Sequence, residues 1–147
     1  MTNGYCIRDF GASGDGDTLD TAALQAAIDA CHKAGGGRVR IEPGVYRIGT
    51  VFLKSHVELH LQAGATLRGT GERDAYNDDD VFAENEFFAQ ENTTGAHLII
   101  AYCAENVAIT GTGTIDGNSG AFFEGLPAEE TNTSYRLKHE NFPIRDW

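Results

Sequence analysis

The 147-residue sequence has few basic residues, few prolines and few cysteines. Eleven lysines and arginines stand against 22 aspartates and glutamates, which gives a formal net charge of -11 at pH 7. Because a strongly acidic protein repels phosphate-rich partners, we expect no binding to nucleic acid and none to an anionic membrane. The 18 glycines, scattered through runs that contain Val, Ile and Thr, also exclude a helix-rich coiled coil.

The sequence also lacks a long hydrophobic run and a leader-like start. Residues 1–6 contain no basic region followed by an apolar stretch, and no segment is long enough to span a bilayer. Cys6, Cys31 and Cys103 lie far apart, in or beside apolar runs, and show no metal-ligand spacing. We therefore expect buried reduced thiols, rather than a disulfide plus a free thiol, and a cytoplasmic location.

The first part of the sequence predicts a short strand, a glycine-rich turn and one helix. The strand is expected at 6–11, and the GASGDGDT that follows matches the spacing of neither a phosphate loop nor an EF-hand calcium loop. Its glycines therefore indicate turns with positive φ angles. Asp20 is the expected N-cap of a helix at about 20–34, which ends at the glycine run 35–37. His32 in the last turn suits the helix dipole better than a ligand role.

After these glycines the hydrophobic period changes from helical to alternating. The predicted strands are short, are joined by very short turns and lack hairpin signals such as Asn-Gly. Their inward positions are expected at Val39, Ile41, Val45, Ile48, Val51, Leu53, Val57, Leu59, Leu61, Ala65, Leu67, Val107, Ile109 and Ile115. VELHLQAGATLRG and VAITGTGTIDG form an internal repeat that is imperfect by two residues at its centre. Together these features favour a parallel solenoid over a sandwich.

The predicted helix has one narrow apolar face, which carries Leu24, Ile28 and Cys31. A solenoid leaves its apolar interior open at each end, so this helix is well placed to cap the first rung. We therefore predict an all-β solenoid with an N-terminal capping α-helix, in which 1–147 form the N-terminal part of a single domain. The end of the sequence shows no amphipathic period, so the solenoid is expected to be incomplete at its C-terminal end.

A charged and aromatic segment at about 70–96 separates the two repeat copies and must lie outside the stack as a long loop. We expect Phe82, Phe87 and Phe88 to fold it back onto the body. Stacking of Tyr76, Phe87 or Phe88 on a sugar ring is the less favoured alternative.

At this point the sequence resembles a known family. The family 28 glycoside hydrolases, the polygalacturonase group, begin with a region similar to IRDFGASGDGDTLDTAALQAAIDACHKAGGGRVRIEPGVYRIGTVFLKSHVELHLQAGATLRGT, and their next rung is similar to NVAITGTGTIDG. The similarity covers most of 6–118, and the part through Gly49 also resembles other pectin lyase-like proteins and phage tailspikes. The resemblance implies a right-handed parallel β-helix, inverting hydrolysis of α-linked galacturonic acid, and a pectic oligo- or polysaccharide as partner.

The resemblance does not extend to the family's active site. Catalysis in that family rests on an Asn-x-Asp segment, an Asp-Asp pair, a Gly-His-Gly segment and a late Arg-x-Lys, and none has a counterpart here. We interpret the acidic run 78–80 as a solvated loop, the Arg-Leu-Lys at 136–138 as a chance match, and Asp116 as a turn former that bonds its own backbone. We therefore assign no catalytic residue, no metal ligand and no cofactor, and substrate-binding residues stay unknown.

Three functions follow from this sequence. The first is the N-terminal segment of a polygalacturonase-like hydrolase whose catalytic rungs are missing from this chain, so that the 147 residues alone are inactive. The second is a non-catalytic β-helix module, tailspike-like or carbohydrate-binding, and the third is an inactive truncated remnant. Arg38, Arg40 and Arg47 are available to hold an anionic polysaccharide, but the sequence does not show that they share a face.

Overall fold

A computed structural model of the chain describes residues 4–77, 81–82, 96–125 and 135–137, with the backbone alone described at 123–125 and 135–137. The elements are β1 (Tyr5–Cys6), β2 (Asp15–Leu19), α1 (Thr21–Lys33), β3 (Gly37–Ile41), β4 (Gly44–Ile48), β5 (Val51–Phe52), β6 (Val57–Leu61), β7 (Ala65–Gly69), β8 (Ile99–Ile100), β9 (Ala108–Gly111), β10 (Thr114–Asp116), α2 (Ser119–Phe122), β11 (Phe123–Gly125) and β12 (Tyr135–Leu137). Short 3-10 turns occur at Ile7–Phe10 and Arg73–Ala75. Within the described ranges, no helix has both the length and the apolar character needed to cross a membrane.

The strands stack in parallel, each beside the equivalent strand of the previous turn of the chain. Sheet A has the order β1-β3-β6-β9, sheet B has β2-β4-β7-β10, and sheet C has β5-β8. β11 and β12 form a separate antiparallel pair. Because successive strands enter different sheets and the chain returns to the same sheet one turn later, it winds as a solenoid. The all-β solenoid predicted from the sequence is confirmed.

Helix α1 covers the first end of this solenoid and packs over β1, β3, β5 and β6. Its fully buried face consists of Leu24, Ala27, Ile28 and Cys31. Asp20 precedes the helix as predicted, but its side chain makes no capping hydrogen bond, so this part of the prediction was wrong. The buried Asp20 carboxylate instead accepts the backbone N–H groups of Ser13 at 2.7 Å and Gly14 at 3.0 Å. It therefore fixes the glycine-rich loop that leads into the helix.

Strand β4 confirms the inward position predicted for Ile48, but the inward position predicted for Val45 was wrong. Tyr46 and Ile48 point inward and are fully buried, whereas Val45 lies on the outer side of the strand. Side chains alternate along a strand, so the inward position of Ile48 requires Tyr46, and not Val45, to fill the interior. The guanidinium carbon of Arg8 lies 5.5 Å from the centroid of this ring, within the range of a cation–π contact.

All three cysteines are free thiols. Cys6 and Cys31 are buried as predicted, and burial raises the pKa of the Cys31 thiol. Cys103 is exposed, so the prediction of a buried thiol was wrong at this position. It lies in a turn after β8 with a φ angle of 48°, and turns of this kind lie on the surface.

The internal repeat corresponds to two rungs in register, since β6 pairs with β9 and β7 pairs with β10. Facing residues are 50 positions apart in sheet A but 48 apart in sheet B. The two-residue difference therefore falls in the turn between β9 and β10. Gly111 has a φ angle of 100° there, and a Cβ at this position would overlap the carbonyl oxygen of Leu61. The shortened turn needs glycine for both reasons.

Candidate functional site: the outer face of sheet A

The outer face of sheet A carries a ladder of polar side chains. Arg38 and Arg40 on β3 point outward because the residue between them is buried. The strand register places Glu58 beside Arg38 and His60 beside Arg40 on the next rung. Thr110 lies beside His60 on the last rung that the structure describes. Two of the three candidate cations therefore share a face, which the sequence alone did not show.

Glu58 connects three rungs through this ladder. The Arg38 Nε donates to its Oε2 at 2.8 Å, and the Thr110 hydroxyl donates to its Oε1 at 2.6 Å. The Nδ1 of His60 lies 2.7 Å from the same hydroxyl oxygen. Because that hydroxyl gives its single proton to Glu58, His60 Nδ1 acts as the donor to Thr110. The bonds from Arg38 and then Thr110 lower the pKa of Glu58, which is therefore ionised and charge-compensated.

Beside this network lies a groove of about 730 Å³. Its lining consists of Gly4, Gly37, Arg38, Arg40, His56, Glu58 and Asn106. The Nε of Arg40 is buried there without a hydrogen-bond partner. Within the described ranges, Arg40 also forms no ion pair, unlike Arg38. Arg40 therefore brings an uncompensated positive charge into the groove.

The rim of the groove is built from residues in the left-handed backbone region. His56 has a φ angle of 65° and Asn106 one of 53°, and they lead into β6 and β9. The Asn106 Nδ2 donates to the Nδ1 of His56 at 3.1 Å. Gly36, with a φ angle of 104°, has the equivalent position before β3. The chain thus turns into sheet A through the same backbone conformation on three rungs, which keeps the groove residues aligned.

On sheet B, by contrast, the outward arginines are paired with carboxylates. Arg47 donates to Glu72 at 2.7 Å, and Arg68 donates to Asp116 at 3.0 Å. Asp116 also accepts the backbone N–H of Asn118 at 2.8 Å, the turn-forming bond predicted from the sequence. The bonds from Asn118 and then Arg68 lower the pKa of Asp116. Arg47, the third candidate cation, therefore lies on another sheet and is already neutralised.

The carboxyls of these two outer faces do not have the electrostatics of a general acid. Inverting glycosidases need one carboxyl group with a raised pKa as the general acid, whereas the pKa values of Glu58 and Asp116 are lowered. The Thr110 hydroxyl donates to Glu58 and accepts from His60, and so joins the last two described strands of sheet A. Among the residues that the structure describes, no group of three or more His, Cys, Asp or Glu could hold a metal ion.

Aromatic side chains fix the described parts of the long insertion to the body. The Tyr76 hydroxyl donates to the carbonyl of Thr70 at 2.7 Å, and burial raises the pKa of Tyr76 to about 12. Phe82 packs edge-on against His97 and Tyr102, with ring centroids 5.8 Å and 5.7 Å apart. Phe82 and Tyr76 therefore have a packing role.

Other predicted positions lie outside the described residues. These are the acidic run 78–80, Phe87, Phe88 and Lys138. Arg136 and Leu137 are described by their backbone alone, as part of β12.

Parallel strands wound around an apolar interior, with polar ladders outside and a helix over one end, define a parallel β-helix protein. The sequence model of the rhamnogalacturonase A/epimerase, pectate lyase-like family matches residues 5–146. The chain belongs to this family. It is a pectin lyase-like relative of the family 28 glycoside hydrolases, as the sequence resemblance predicted, and the right-handed parallel β-helix is confirmed.

Individual relatives are similar to different lengths of this chain. The exo-poly-alpha-D-galacturonosidase of Dickeya chrysanthemi is 37% identical over 116 residues, 76% of this chain and 19% of that protein. The solved family 28 exopolygalacturonase of Yersinia enterocolitica is 36% identical, with a TM-score of 0.67 over 88% of this chain and 22% of that one. Alginate lyase 7 of Azotobacter vinelandii is 52% identical, but over 61 residues, 36% of this chain and 7% of that protein. The chain thus spans about a fifth of the length of the two galacturonate enzymes.

Proposed function

We propose that this chain forms the capped N-terminal rungs of a glycoside hydrolase that hydrolyses α-linked galacturonic acid in pectic polysaccharide with inversion. The observation that carries the proposal is the identity with the Dickeya chrysanthemi galacturonosidase, which extends over three quarters of the chain. The alginate lyase shares a shorter part of the chain at higher identity, so that part does not discriminate between the two substrates.

In this proposal the described rungs supply the scaffold and a cationic groove, and other rungs supply the chemistry. An inverting enzyme holds its general acid and its general base roughly 6.5–9.5 Å apart, with a raised pKa on the acid. Outward carboxyls on neighbouring rungs of a β-helix can meet this requirement. The lowered pKa values of Glu58 and Asp116 favour structural roles for both, so we expect the 147-residue chain alone to release no sugar.

The test is to express the complete gene-encoded polypeptide that contains these residues and to measure the reducing sugar released from polygalacturonate and from alginate. The purified 147-residue chain is assayed in parallel. We expect release from polygalacturonate alone, and only by a polypeptide that carries further rungs. Release from alginate instead, or hydrolysis by the 147-residue chain, would contradict the proposal.

A non-catalytic carbohydrate-binding module is the second candidate function. It is favoured by the groove on sheet A, because Arg40 lines it and forms no ion pair in the described part of the chain. Binding of the complete polypeptide to polygalacturonate without release of sugar would support this candidate over the hydrolase.

A further inference from the structure

We propose that the groove on the outer face of sheet A is a binding site for an acidic sugar, whose carboxylate pairs with Arg40. The choice of a uronate as ligand rests on the proposed function. The position of the site rests on the groove itself, on the side chain of Arg40 without an ion-pair partner among the described residues, and on the strand register that brings the lining residues together.

The charges in the groove leave one positive centre without a partner. The carboxylate of Glu58 is held by Arg38 and by Thr110, so these groups compensate each other. Arg40 has no such partner in the described part of the chain, and its Nε is buried without a hydrogen bond. Arg40 lines the groove, so a carboxylate ligand there would pair with its guanidinium through charge-assisted hydrogen bonds. In a protein with a net charge of -11, this is a specific place for an anion.

The groove also has the size and the polar groups that a sugar requires. Its volume of about 730 Å³ lies within the range of small-molecule sites. The side chains of His56 and Asn106 form its rim, and their position is set by a bond between them. Imidazole and amide groups can hydrogen-bond the hydroxyls of a sugar whose carboxylate lies on the guanidinium. A single small anion would contact Arg40 but would leave the rim unused.

The experiment is titration calorimetry of the purified chain with trigalacturonate at low ionic strength, for the natural sequence and for Arg40→Gln. We expect Arg40→Gln to weaken binding about tenfold, because it removes a charge-assisted hydrogen bond. The matched control is Arg73→Gln, which makes the same change at an exposed arginine outside the groove. Affinity for trigalacturonate should stay within about twofold of the natural value in this control. Circular dichroism and the Tm establish that each variant is folded.

Glu58→Gln provides a second, independent variant. It removes the charge that neutralises Arg38, so a second guanidinium becomes available in the groove. We expect trigalacturonate to bind about threefold more tightly to this variant, since glutamine can still accept the bond from Thr110. Unchanged or weaker binding by a folded Glu58→Gln variant would count against the proposal.

Further ligands separate this proposal from the proposed function. Binding of trigalacturonate, or of a trimer of alginate uronates, with loss in Arg40→Gln supports the groove as a uronate site. Preference for the alginate trimer would support the groove while contradicting the pectic substrate. The proposal is overturned if the natural chain binds neither uronate, if inorganic phosphate or a neutral galactose trimer binds equally well, or if Arg73→Gln causes the same loss.

Discussion

The two ends of the described solenoid have the same inward-pointing columns but very different burial. In the column of sheet A, Val39 and Leu59 are fully buried, whereas Ile109 on the last described rung is 45% exposed. In the column of sheet B, Leu67 is fully buried and Ile115 is 43% exposed. At the first end α1 lies over the stack and its apolar face is fully buried.

This difference shows where the stability of a solenoid rung comes from. Each inward side chain is buried by the rung on either side of it, so an aliphatic residue with a neighbour on one side keeps only part of its burial. Helix α1 supplies the second neighbour for the first rungs, with Leu24 and Ile28 in place of strand residues. The capped end should therefore carry more of the free energy of unfolding than the last rung.

The largest effect is expected when an isoleucine is replaced by alanine at each end of the described solenoid. Ile41→Ala removes a fully buried side chain, so we expect it to reduce the free energy of unfolding by about 2–5 kcal/mol. Ile109→Ala removes a half-exposed side chain and should cost about 1 kcal/mol. Urea unfolding followed by circular dichroism measures both. Equal costs would mean that Ile109 is covered in solution and that the ends do not differ.

The second test concerns the attachment of the last rung to the one before it. Gly111→Ala forces an alanine into a φ angle of 100° and into the carbonyl oxygen of Leu61, so we expect a loss of about 2–3 kcal/mol. Gly35→Ala is the control, because Gly35 has a φ angle of 97° but open space around it. It should reduce the free energy of unfolding by about 1 kcal/mol, because only the unfavourable φ angle of the alanine contributes. If the two variants unfold at the same urea concentration, close packing at Gly111 contributes nothing.

Much of this fold could be predicted because the inward columns consist of aliphatic residues at alternate positions. The repeat aligned Leu59 with Ile109 correctly, since both copies share the same strand pattern. The two positions predicted for β4, Val45 and Ile48, lie three residues apart, so alternation does not allow both to point inward. Because Val45 and Tyr46 are both good strand residues, the sequence did not decide between the two phases.

The candidate site was harder to predict, because its residues come from different rungs. Arg38 meets Glu58 across 20 positions, and Glu58 meets Thr110 across 52. The spacing of charges along the sequence carries no signal for such contacts, and only the strand register brings them together. One signal was available in the sequence. Aligning RVRI with ELHL, as the rung before the two repeat copies, places Arg38 beside Glu58.

The smallest expected effect is the pH dependence of the pair between Arg38 and Glu58, which joins the first two full rungs. Because the folded pKa of Glu58 is below its ordinary value of 4.5, the pair stabilises the fold fully above pH 4.5, and this contribution is lost as the pH falls through the folded pKa. Arg38→Gln should therefore lower the Tm at pH 7 more than at pH 3. The side chains are 51% and 27% exposed, so the effect should be on the order of 0.5 kcal/mol. Arg73→Gln should lower the Tm equally at both pH values, and an identical profile for Arg38→Gln would show that the ion pair adds nothing to the join between these rungs.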